Sequence, residues 1–423
     1  MPAENSFQHD ELSRKNPGER ITVRQVTLTS LSASPPGQDA MATLGTRLSQ
    51  TGVRVIVLLH GSIIGTDVFG VQRLDELGGL KRGYSRGVAG LDALLALMRE
   101  QSNGIPPAPG WLKPPLVDDD ATRKLLDEQI GDAGNFTNTY VELMKQSLNR
   151  ALDRPIHCVR KLWSCEHHHL GRALAAVSIL GHLRNRCEAY KLGQGDRILI
   201  QAHGQAGLVL ALVSNLLCVT SASSRTRLFD ILTAFASQAN RPEITTTIQR
   251  IAPLLATGTF LNEAMLDVVT LGAPVRYGWD PSGLRRLVHF VNHRNLRTDG
   301  KTWLSKMELP QITMEMPIAW GGDYIQQLAV ACSDAVPVTD AGQAANKAVW
   351  EIVEPFDAFE RWLECARRAV RIPSEGLGIL VDYKDSTGST NVRDHYFGHA
   401  AYTRMNTMLF NTTEIVQALC QAS

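Results

Sequence analysis

The strongest patterned element in the chain is VRVIVLL at Val53–Leu59, a β-branched run of the kind that a parallel sheet buries on both faces, and His60-Gly61 follows it at once. It predicts a central strand. Comparable runs predict strands at 156–163, at 197–201, in LDVVTLGAP ending at Gly272-Ala273-Pro274, at Arg286–Asn292 and at 378–382, with a further strand at 21–29. Apolar residues at helical spacing predict helices at 91–100, 139–152, 173–190, 226–237, 242–255, 345–370 and 403–418. The segment GQGDRILIQAHGQAGLVLALVSNLL is the most informative: a strand turns sharply at 202–205 into an apolar helix.

Strands that alternate with helices predict an α/β protein with a doubly wound, mostly parallel sheet. SASPPGQD reads as a loop within an extension over 1–50. The proline-rich NGIPPAPGWLKPPL cannot be regular structure and marks an insertion. The body of the fold then covers 51–420, with insertions at about 100–135 and 300–370 placed to form a cap over a pocket.

Composition narrows the function. The 423 residues are 44% hydrophobic and 20% charged, and 43 Lys+Arg against 42 Asp+Glu leave a net charge of +1, so no global field recruits nucleic acid or an anionic membrane. The longest nearly apolar stretch, 206–219, is interrupted by Ser214 and Asn215 and is shorter than the roughly 18 to 20 residues of a spanning helix. The polar amino terminus lacks the apolar core of a secretory signal, and the expectation is a cytoplasmic protein. Seven scattered cysteines without a CxxC pair argue against a disulfide frame or a zinc ribbon, and no cofactor is expected.

In open parallel sheets ligands bind beyond the carboxyl ends of the strands. Those positions here are His60-Gly61-Ser62, Ser164-Cys165-Glu166, 202–207, 272–274, Asn292-His293, and Asp382 with His399. Together VIVLLHGS, RILIQAHGQAG, VVTLGAP and GHAAYTR resemble, in order and spacing, the α/β-hydrolase fold, particularly its lipases and esterases, over about 50–420. WSCEHHHLGRALAA is similar to a stretch of uncharacterised bacterial members. The resemblance implies a nucleophile elbow at 202–206, an oxyanion hole from the backbone N–H groups of Ser62, Ile63 and Gln205, a catalytic histidine at His399 with His395 nearby, and an acid at Asp323 or Asp382. His60, Gly61, His203, Cys165 and Glu166 would line the pocket.

The departure is at the elbow, where the family's G-x-S-x-G serine is replaced by Gly204, which has no side chain to acylate. The expected function is therefore a degenerate hydrolase that holds an acyl or carbonyl ligand, or a protein partner, without covalent turnover. Two alternatives stand beside it: an ester hydrolase that uses water or an atypical nucleophile such as Cys165, and a nucleotide site at Ala202-x-Gly204-x-x-Gly207. Three consecutive histidines, 167–169, lack the i, i+4 geometry of a helical zinc pair and read as a polar turn, with Glu166 capping the helix that follows.

Overall fold

The computed structural model describes residues 20–22, 33–61, 118–218, 221–292, 322–327, 337, 339–353, 373, 375–383 and 395–420. The strands are β1 (Arg20–Thr22), β2 (Val53–Leu59), β3 (His157–Lys161), β4 (Arg197–His203), β5 (Met265–Leu271), β6 (Arg286–Asn292) and β7 (Leu377–Val381). They form one seven-stranded sheet in the order β3-β2-β4-β5-β6-β7-β1, and every pairing is parallel. The chain is thus an α/β protein. β2 lies between β3 and β4, so the chain leaves the centre of the sheet for one edge after β2 and crosses back to place β4 on β2's other side.

Helices cover both faces. Val55, Val57, Ile198 and Ile200 point to one side, where they meet α4 (His169–Ala189), α5 (Ala206–Leu217), α6 (Ala222–Gln238) and α7 (Pro242–Thr257). Ile56, Leu58 and Leu199 point to the other, against α1 (Pro35–Gln50), α3 (Asn138–Asn149) and α10 (Met408–Cys420). The period of two therefore feeds two cores. α2 (Asp120–Ile130), the four-residue α8 (Tyr324–Gln327) and α9 (Asp340–Val353) complete the described helices. α5 is buried on every side from Ala206 to Leu216, which explains why its sequence shows no polar face.

Two local expectations are corrected. SASPPGQD is not a loop: Ser34 accepts a hydrogen bond from the Gly37 N–H as N-cap, and the prolines open α1. Proline is favoured in the first helical turn because its missing N–H would have had no partner there. The last helix begins at Met408 rather than 403, because 401–407 is wound as short 3-10 turns. The expected helix at 91–100 lies outside the described residues, as do parts of both insertions. Among the described residues no helix is long and apolar enough to cross a membrane.

Candidate functional site

β4 ends at His203, and Gly204 turns the chain at φ +53°, a left-handed conformation that glycine adopts without steric cost. The turn is tied by Gly204 N–H to Leu271 O (2.9 Å) and by Gly207 N–H to Gly204 O (2.9 Å), after which α5 begins. Gly207 is required by packing: a Cβ there would stand 2.3 Å from the Cβ of Ala273, so α5 could not approach the end of β5. A strand, a tight turn and a buried helix thus follow one another as the sequence indicates.

His399 faces this turn. Its Nδ1 is 2.7 Å from Asp323 Oδ2, and an ideal Cβ on Gly204 would lie 2.7 Å from its Nε2. The imidazole consequently stands in the space that a side chain at 204 would enter. Asp323 is wholly buried, and its carboxylate also accepts from Tyr402 Oη–H (2.9 Å) and from the Gln326 N–H (2.9 Å). A carboxylate held by several donors is fixed in orientation and fixes the ring that it faces. The carboxylate that accepts from His399 is Asp323 and not Asp382, which is half-buried just beyond β7. His395 is buried at the other end of the short 3-10 turn that precedes His399, where its Nδ1 accepts from the Phe397 N–H.

Asn292, the last residue of β6, joins the two loops. Its carbonyl accepts from the Asp323 N–H (3.1 Å), its N–H donates to Tyr402 Oη (2.7 Å), and its side-chain amide donates to Gly398 O (2.9 Å). His203 supplies a second brace. Burial, followed by the neighbouring His399, holds its pKa well below the usual histidine value, so the ring is neutral and its Nε2–H donates to the His399 carbonyl (2.7 Å). That leaves Nδ1 without a proton and, among the described residues, without a hydrogen-bond partner, packed against Gly61. The sequence marks Asn292 only as a strand-end position and Tyr402 only as part of GHAAYTR, and the bracing role of neither is apparent there.

Gln205 follows the glycine, and among the described residues its N–H makes no hydrogen bond, as a donor kept for a ligand oxygen would require. Its side chain is anchored below the turn: Nε2 meets His167 Nδ1 at 2.7 Å, and Oε1 accepts from Arg172 Nε and NH2 at 3.4 and 3.3 Å. Ser62 and Ile63 lie outside the described residues. The three histidines go three ways. His167 holds Gln205, His169 Nδ1 meets Tyr277 Oη at 2.6 Å, and His168 Nδ1 accepts from the Gly171 N–H.

The expected cap is thereby corrected. His168, in extended conformation at φ −148°, is the N-cap of α4, and Glu166 instead stands 3.6 Å from its Nε2. Among the described residues no three His, Cys, Asp or Glu side chains are grouped to hold a metal ion. Cys165 is buried at the end of the β3 segment, its Sγ 3.8 Å from Gly61 O and 3.7 Å from His60 Nδ1. Burial, reinforced by Arg160, lowers His60 to about 3, which makes it too weak a base to deprotonate the thiol. The chain matches no family model, no curated protein and no solved structure.

Proposed function

We propose that the protein is of the α/β-hydrolase type and retains the acid–base half of an ester-hydrolase site without its covalent nucleophile, so that it binds an acyl or carbonyl ligand at the elbow. The carrying observation is the 2.7 Å between His399 Nε2 and the Cβ position of Gly204, with Asp323 bonded behind the ring. The strand order supports the fold type: the elbow follows the strand beside β2, the acid follows β6, and the histidine follows β7. A ligand carbonyl would accept from the Gln205 N–H, while the absence of a hydroxyl at 204 denies it an acyl-enzyme.

The Asp323–His399 bond favours a second reading, direct hydrolysis. In it a water oxygen attacks the carbonyl while His399 Nε2 takes the water proton and returns it to the departing alkoxide, giving acid and alcohol. The nucleotide reading has less support, because the imidazole of His399 occupies the approach to Gly204 that a pyrophosphate would need.

Short-chain nitrophenyl esters, the matching nitroanilides and a fluorophosphonate probe separate these readings. Non-catalytic binding predicts no labelling, ester turnover no faster than with free imidazole, and saturable nitroanilide binding that shifts the ring resonances of His399. Turnover that disappears in His399→Ala would establish the water mechanism instead. If nitroanilides leave His399 unperturbed at saturating concentration, the binding reading fails.

A further inference from the structure

Away from the elbow, α4 and α7 enclose a cavity of about 280 Å³, roughly 18 Å along α4 from His169 by helical rise. The space exists because Gly181 lacks a side chain where the helices cross; its Cβ would be 2.8 Å from Thr247 Cγ2. The rim is basic. Lys161, Arg241 and Arg250 line it against one carboxylate, Glu243.

The partners of these groups show how much charge remains for a ligand. Lys161 donates to Asp118 (2.9 Å), but the same carboxylate also accepts from Arg123 (2.9 Å), so it is shared between two cations. Arg241 makes its hydrogen bond through Nε to Glu243 (3.0 Å), and Glu166 is a second acidic charge near it. Arg250 spends one NH2 hydrogen bond on the Gly181 carbonyl (3.1 Å), which holds its guanidinium across the cavity, and it has no carboxylate partner among the described residues. Leu174, Val177 and Ile244 supply an apolar wall beside these donors.

We propose that this cavity binds a small phosphate monoester, with the phosphate at Arg241, Arg250 and Lys161 and the organic group against Leu174, Val177 and Ile244. A doubly charged head suits converging guanidinium forks better than a carboxylate does, because each fork can donate to two of its oxygens. The volume suits a ligand of phenyl phosphate size and lies at the small end for ligand sites. His182 also lines the cavity; burial, then Arg186 and Lys161, lowers it to about 3 against Asp118, which raises it.

The test is calorimetry of the full chain with phenyl phosphate, inorganic phosphate and benzoate at low ionic strength. Phenyl phosphate is expected to bind more tightly than inorganic phosphate, which lacks the ring, and than benzoate, which lacks the phosphate. Arg250→Ala is expected to weaken it about tenfold or more, the loss of one charge-assisted contact. Ser178→Trp, at an exposed position on the rim, should block the cavity without disturbing the core, and in the parent protein the ligand should shift the His182 ring resonances. No measurable binding of phenyl phosphate, benzoate or inorganic phosphate binding equally well, or unchanged affinity in both variants would overturn the proposal.

Discussion

Gly204 combines a left-handed backbone at φ +53° with an imidazole 2.7 Å from its Cβ position. Gly204→Ala should therefore lose stability twice over, from the backbone and from the displaced ring. The backbone contribution alone is about 1–2 kcal/mol, and denaturant unfolding should show at least that loss. A neutral effect would mean that His399 moves aside freely, against its bond to Asp323. At this scale the sequence was legible where a residue follows a strand directly, as His60 and Gly204 do, whereas His399 lies well beyond the end of β7 and was reached only through the resemblance of GHAAYTR to a histidine loop. Asp323 was not separable from Asp382, because which carboxylate meets the histidine depends on how the loop after β6 returns, and nothing local records that path. Asn292 was marked only as a strand end, and its bracing role was illegible for a related reason, since its three bonds reach segments far along the chain.

Among the elements, β4 and β5 are joined near their amino ends by a buried ion pair. Arg197 Nε and NH2 each donate to a different oxygen of Asp267 at 2.7 Å, and both side chains are almost fully excluded from water. Removing one partner strands the other, so Asp267→Ala should cost about 3–5 kcal/mol, whereas replacing both by apolar residues of similar size should cost far less. Equal losses in the single and double variants, measured by denaturant unfolding, would contradict this. The strands were legible because β-branched runs buried on both faces leave a continuous signal: β2 and β6 fall where their runs begin and end. α1 was not, because two adjacent prolines read locally as a break, whereas only the capping geometry of Ser34 shows them to be a beginning.

Across the whole molecule, burial leaves several histidines neutral. It is the leading cause for His60, His182 and His289, each lowered to about 3. The unfolded chain takes up protons on these rings below about pH 6.5, whereas the fold excludes them, so stability declines as pH falls through that interval until the folded rings protonate. Each ring contributes up to about 1.4 kcal/mol per pH unit, and the three together up to about 4. The urea midpoint should therefore drop steadily between about pH 6 and about pH 4. A midpoint that stays level over this range would show that the rings are solvated or paired with acids.

Asn292 has a mechanical consequence for the candidate site. Because one residue at the tip of β6 grips the loop of Asp323, the hydroxyl of Tyr402 and the loop before His399, any sway of that strand carries both members of the pair in the same direction. Their separation is thereby insulated from breathing of the sheet, and what varies is the distance from the pair as a unit to the bend at Gly204.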